Sequence, residues 1–179
     1  IITYLIRKNL RNYFNDLKID VVYDVCHNIA KIEKHLVEGN FKEILVMRKG
    51  ATRSFGPGRK ELPLEYRETG QPVLIPGTMG TASYVLVGTN EAEGLSWASA
   101  PHGAGRLESR THARKNLNEN SILNELEKKD IYLEAGSKKG IVEEAPQSYK
   151  DVDEVVNITD KLGIAKLVVK LKPLGVIKG

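Results

Sequence analysis

Cysteine is almost missing from this chain: Cys26 stands alone among 179 residues, so no internal disulfide can form. A lone thiol points to a reducing compartment, and the cytoplasm is the expected location. No apolar run approaches the roughly 20 residues that a membrane helix requires. The opening stretch Ile1–Ile6 is broken too soon by Arg7, Lys8 and Arg11 to serve as the apolar core of a signal peptide. An initiator methionine is also lacking, which fits a processed piece or a part of a longer chain. Only four histidines are present, so imidazole chemistry has few places to be.

What is there reads as globular. The chain is 41% hydrophobic and 28% charged, near the average for folded proteins, and its length suits one domain with a real core, expected over 1–179. Lys and Arg number 27 against 23 Asp and Glu, a net charge of +4 that suits a polyanionic partner without requiring one. Leu5, Leu10, Phe14 and Leu17 predict a surface helix over 3–17, and Val21 with Val22 a short buried strand. Val25, Ile29, Ile32 and Leu36 recur at helical spacing, with Asp24 placed as cap and Gly39 as stop, and predict a second helix. Strands are expected at 43–48, 73–75, 83–87, 130–134 and 164–171. Helices are expected near 107–117, 119–128 and 151–162. Residues 49–63 and 89–105 read as loops, the former exposed and basic. Without a steady βαβ rhythm the fold class is α+β, mixed sheets with flanking helices.

Of the histidines, His35 and His112 lie in charged stretches and read as solvated. His102 sits in Pro101-His102-Gly103-Ala104-Gly105-Arg106, where two glycines leave the backbone bare for close approach of a ligand. Arg106 adds a planar cation suited to phosphate. An imidazole in such a setting serves as general acid, nucleophile or metal ligand, although a tight turn with a surface histidine fits the spacing equally. Pro76-Gly77-Thr78-Met79-Gly80-Thr81-Ala82-Ser83 follows a short strand and offers hydroxyls and free N–H groups for an anion, yet it matches neither the P-loop nor the dinucleotide pattern. His27 lies off the apolar stripe of its segment, with no histidine partner four residues on, and completes no metal shell within this chain. Arg48-Lys49-Gly50-Ala51-Thr52-Arg53 suits a phosphodiester backbone, or simply solvent.

Together these blocks resemble the RtcB family of RNA-splicing ligases. The resemblance is carried by residues 23–31, 48–53, 70–84, 102–106, 149–153 and 173–179, in family order from one end of the chain to the other. It implies the carboxyl-terminal part of the RtcB-type fold. It also implies an enzyme that joins RNA ends bearing a 2′,3′-cyclic phosphate or 3′-phosphate to 5′-hydroxyl ends, using GTP and Mn2+, in tRNA splicing and RNA repair. Carried over by position, His102 resembles the histidine that becomes guanylylated, and His27 a manganese ligand. Asn28, Pro76, Gly77, Thr78, Met79 and Ser83 resemble nucleotide contacts, as do Gly103, Ala104 and Gly105 beside the nucleophile. Tyr149 and Lys178 resemble residues packed around the guanine. RNA ends and GTP are the implied partners, with an activating protein left open and no membrane. Met47 stands where many members have histidine, and Cys26 where serine is commoner. The family's amino-terminal half, which brings an aspartate, a cysteine and two further histidines to the metal, has no counterpart here. Two other readings remain: a guanine-nucleotide or RNA-binding module inactive on its own, and a histidine phosphotransfer domain.

Overall fold

A computed structural model describes residues 1–178, apart from the side chain of Lys178; Gly179 also lies outside the described residues. The molecule is α+β, with six helices and four small sheets among the described residues. Helix α1 (Ile2–Leu10) is shorter than its apolar pattern predicts. It precedes a largely irregular stretch in which Val21 and Val22 are exposed rather than forming a buried strand.

The helix expected from Val25 is a strand. Chain segment β1 (Asn28–Val37) pairs antiparallel with β2 (Asn40–Lys49), Val37 opposite Asn40. Glu38 and Gly39 make the connection, both at positive φ (51° and 79°), the geometry of a tight two-residue hairpin loop. The helical spacing misleads because the apolar residues of β1 lie on both faces. Ile32 and Leu36 point outward to solvent. The inward face is polar, with Glu33, His35 and, across the ribbon, Arg48 buried. His35 is therefore not solvated: it is 1% exposed, with Nδ1 2.5 Å from Glu93 Oε1 and Nε2 3.0 Å from Glu33 Oε2. Arg48 forks onto both Glu33 oxygens at 2.8 Å, and Arg59 reaches Glu93 at 3.0 Å.

Residues 49–63 are less exposed than their composition predicts. Ala51–Arg53 forms β3, and Thr52, Ser54, Phe55 and Leu62 are buried. The Arg53 and Arg59 guanidinium groups lie 4.4 and 3.9 Å from the Phe55 ring centre, so much of this basic stretch is packed. Strands β4 (Pro72–Ile75) and β5 (Ser83–Gly88) follow as expected. The next loop contains a helix α2 (Glu91–Ser96) and a short strand β6 (Ser99–Pro101), which pairs with β3.

Helices α3 (Arg110–Asn116) and α4 (Glu119–Lys128) start where Ser109 and Asn118 accept backbone N–H bonds. Beyond β7 (Tyr132–Ala135) and α5 (Lys138–Glu143), Asp151 caps α6 (Val152–Lys161) in the same way. Strand β8 (Ala165–Leu171) joins β5, making the sheet order β4-β5-β8, and β9 (Gly175–Lys178) runs parallel to β7. One apolar cluster packs that sheet against Val152 and Val156 of α6; a second gathers Ile122, Leu126, Ile131 and Ile141. No helix among the described residues is long and apolar enough to cross a membrane.

Candidate functional site

The loop after β4 is braced by its own side chains. Gly77 N–H donates to Ser83 Oγ at 3.1 Å, and Thr78 N–H to Thr81 Oγ1 at 2.7 Å. Two of the N–H groups that an anion would use are thus already engaged within the loop. Gly77 is required by sterics, since a Cβ there would lie 1.9 Å from Ala82 O. Met79 plugs into the second apolar cluster at 2% exposure, a burial that contributes roughly 1.5–3 kcal/mol to holding the loop.

Facing this loop is the segment after β6. Ala51 pairs with Pro101, which puts Gly50 opposite His102. Gly50 N–H donates to His27 O at 2.9 Å, and Gly50 O accepts from His102 N–H at 3.3 Å. One glycine, at φ 69°, therefore ties both histidine backbones together. The two rings stack in parallel, centres 3.7 Å apart and planes within 2°. His102 Nδ1 is buried without a hydrogen-bond partner, and Nε2 makes no hydrogen bond among the described residues. Burial, and secondarily the neighbouring His27 ring, hold His102 below the ordinary histidine value of 6.5, favouring the neutral ring with a free lone pair.

A cavity of about 290 Å³ lies between these walls, at the small end for ligand pockets. Pro76, Gly77, Thr78 and Met79 line one side, and His102, Gly103, Ala104 and Gly105 the other, with Tyr149 and Glu144 closing it. Tyr149 arrives because Leu107 N–H bonds Ser148 O and Lys150 N–H bonds Gly105 O, laying the two segments side by side. Arg106 Nη1 donates to Tyr149 Oη at 2.9 Å, and its guanidinium lies 4.8 Å from the ring centre. The Tyr149 hydroxyl donates in turn to Glu144, and burial together with that carboxylate pushes the phenol up. Arg106 Nε donates to Glu108 O at 3.0 Å and Nη2 is buried without a partner, so the arginine expected to grip phosphate is only partly engaged by the tyrosine wall.

Of the other residues named from sequence, Ser83 braces the loop from outside the cavity lining, and Asn28 opens β1, exposed and likewise outside the lining. His27 is exposed apart from its stacked face. The Lys178 backbone pairs with Ala135, and its side chain lies outside the described residues. His112 is exposed beside Glu108. Larger clefts of about 600 and 870 Å³ occur elsewhere, lined without any histidine. Gly50 and Glu144 were missed by sequence reasoning. Gly50 sat inside a block read only for its charges, and Glu144 in a charged stretch with no motif of its own.

The donor set tests the implied metal. Among the described residues no group of three or more His, Cys, Asp or Glu side chains is placed to hold an ion. His27 fits as one donor of a shell, and this chain does not complete that shell.

Buried polar side-chain atoms without partners number three among the described residues: Thr52 Oγ1, His102 Nδ1 and Arg106 Nη2. All fall within 48–53 or 102–106. Native interiors leave few such atoms, and their concentration here marks a surface made to meet something else.

A family model described as tRNA-splicing ligase RtcB matches residues 1–179. Proteins named tRNA-splicing ligase RtcB are similar along the chain. That of Nanoarchaeum equitans is 48% identical over 183 residues, covering 100% of this chain, and that of Aeropyrum pernix 47% over 182 residues. The Archaeoglobus fulgidus protein is 52% identical over 165 residues, 92% of this chain. This chain spans only 38% of the length of the first two and 34% of the third. A match along its whole length, with His102 stacked on His27 and lining a glycine-bare cavity, means that the chain belongs to the tRNA-splicing ligase RtcB family.

Proposed function

We propose that this chain carries the nucleotide cavity and histidine nucleophile of a cytoplasmic, GTP- and Mn2+-dependent ligase that joins 3′-phosphate or 2′,3′-cyclic phosphate RNA ends to 5′-hydroxyl ends. The observation that carries the reading is the stacked His27–His102 pair beside the cavity, with the His102 ring biased towards neutrality. In the first step the His102 Nε2 lone pair attacks the α-phosphorus of GTP. A nitrogen–phosphorus bond forms, the bond to the bridging oxygen breaks, and pyrophosphate leaves. A 2′,3′-cyclic phosphate is first opened by water to a 3′-phosphate; GMP then passes to the 3′-phosphate as the bond to His102 breaks, and attack by the 5′-hydroxyl oxygen, its proton passing to solvent, joins the ends and releases GMP.

The chain's own residues bind and orient in this scheme. The Gly103–Gly105 backbone lets the nucleotide approach closely, the stack on His27 fixes the ring plane, and the Tyr149 ring supplies a flat wall for the base. Manganese would offset phosphate charge; His27 would supply one donor, and the resemblance implies that the others lie in the portion of the longer relatives that this chain does not span. That incomplete donor set favours a second reading of the chain by itself: a guanine-nucleotide or RNA-binding module without turnover.

The test is labelled GTP. With the full-length family protein, label from the α-phosphate is expected on His102 and label from the γ-phosphate is not. The reverse result would indicate histidine phosphotransfer instead.

A further inference from the structure

A second cavity lies beside β3. It measures about 70 Å³, roughly the share of two water molecules in the liquid. Thr52, Lys31, Arg53, Gln71, Arg48 and Asp24 contribute to its walls. The function proposed above uses none of them.

Thr52 is fully buried and its hydroxyl finds no partner. Leaving a buried hydroxyl unsatisfied costs about 1–3 kcal/mol, so the position calls for a ligand atom. The charges around it are unevenly committed. Arg48 is spent: its donors go to Glu33, Ser99 Oγ and the Trp97 and Ala98 carbonyls. Arg53 gives Nε to Gln71 Oε1 at 3.0 Å, and its two terminal nitrogens make no hydrogen bond among the described residues. Lys31 makes no ion pair or hydrogen bond among them either. Gln71 Oε1, already holding Arg53, also faces the Phe55 N–H at 3.4 Å. Asp24 is the one carboxylate in the lining, and it opposes an anion.

A hydroxyl, an ammonium and a guanidinium line one small space, against a single carboxylate, Asp24, and the already engaged Gln71 Oε1. Water needs acceptors as well as donors; a tetrahedral oxyanion needs donors alone. Along β3, Thr52 lies two residues from Gly50, the glycine that ties His27 to His102. We propose that this cavity is a one-phosphate subsite, in which Thr52, Lys31 and Arg53 hold a single tetrahedral oxyanion, the phosphodiester of an RNA strand whose end reaches His102. The assignment to RNA rests on the ligase reading; the oxyanion site itself does not.

The test measures binding to the full chain of inorganic phosphate, by calorimetry, and of a short single-stranded RNA ending in 3′-phosphate, by fluorescence anisotropy. Thr52→Val removes the hydroxyl at nearly constant shape, and Lys31→Ala removes an exposed cation. Each variant is expected to weaken RNA binding by about three- to tenfold. Lys31→Ala is further expected to reduce the slope of log Kd against log salt by about 0.7, the value for one single-strand phosphate contact. Weakened phosphate binding with unchanged RNA binding would assign the site to a free oxyanion and overturn its RNA role. Unchanged binding of both probes would overturn the subsite. Should Thr52→Val fail to fold, Lys31→Ala on the surface still decides. Guanylylation is assayed separately, so loss of the ligase reading would leave this result standing.

Discussion

Gly50 shows how one backbone position governs two side chains. Its N–H and carbonyl reach His27 and His102, and its φ of 69° lies where residues bearing a Cβ are strained. Nothing lies within 4 Å of a Cβ added there, so Gly50→Ala acts through the backbone alone, at a cost of about 1–2 kcal/mol. We expect Gly50→Ala in the full-length protein to lower the rate of GMP adduct formation, and Gly50→Asn, which tolerates this conformation, to restore much of it. Equal rates for glycine, alanine and asparagine would mean that the backbone tie is irrelevant to the chemistry. A different logic applies at His102, where glycine spacing alone fitted a ligand site and a plain tight turn equally, and the family resemblance singled the loop out. The stack on His27 was not legible, since the two rings are 75 positions apart and meet only through β3 and β6.

Among the elements, β1 was misread as a helix while its partner β2 falls where a strand was expected, and their hairpin is the element most dependent on buried charge. Its inner face joins Arg48, Glu33, His35, Glu93 and Arg59 in one chain of contacts, tying the ribbon to α2. Removing one partner of a buried pair leaves an uncompensated charge, so Arg48→Ala is expected to destabilise the fold by about 3–5 kcal/mol in urea titration. Burial raises the Glu33 carboxyl, but bonds from Arg48 and His35 more than offset this and hold it below its usual 4.5. A carboxyl lowered in the folded state adds stability that is complete above the unfolded value and lost as pH falls through the native one. Urea midpoints should therefore be level in this respect above about pH 5 and decline below pH 4.5, with a shallower decline in Glu33→Gln. An identical acid limb in that variant would remove Glu33 from the account. The outer face behaves oppositely. Ile32 is 73% exposed and Met47 74%, so Ile32→Thr and Met47→Thr should each shift stability by no more than about 0.5 kcal/mol. Apolar residues outside and ions inside invert the usual alternation, which is why a periodicity reading returned a helix. Helices α3, α4 and α6 fall close to their expected ranges, and Ser109, Asn118 and Asp151 cap their starts.

Across the whole molecule, two apolar clusters pin the two halves of the cavity. Met79 anchors one loop in the second cluster and Ala104 the other in the first, so the two walls of the cavity are held by separate packing units. The α+β class followed from the mixed order of elements; the pairing of β7 with β9, distant in sequence, had no local signature. Among the described residues no group of three or more His, Cys, Asp or Glu side chains is placed to hold a metal at this scale. Mixed with manganese and α-labelled GTP, this chain by itself is expected to form no acid-labile adduct. An adduct on the isolated chain would contradict the divided metal shell.

The most direct measurement is the site and source of the covalent label. Full-length protein incubated with GTP labelled at the α-phosphate, digested and mapped by mass spectrometry, should carry the mass of GMP on the peptide containing His102. His102→Ala should abolish both the adduct and RNA joining. A GMP mass on another residue, or joining that persists in His102→Ala, would contradict the account.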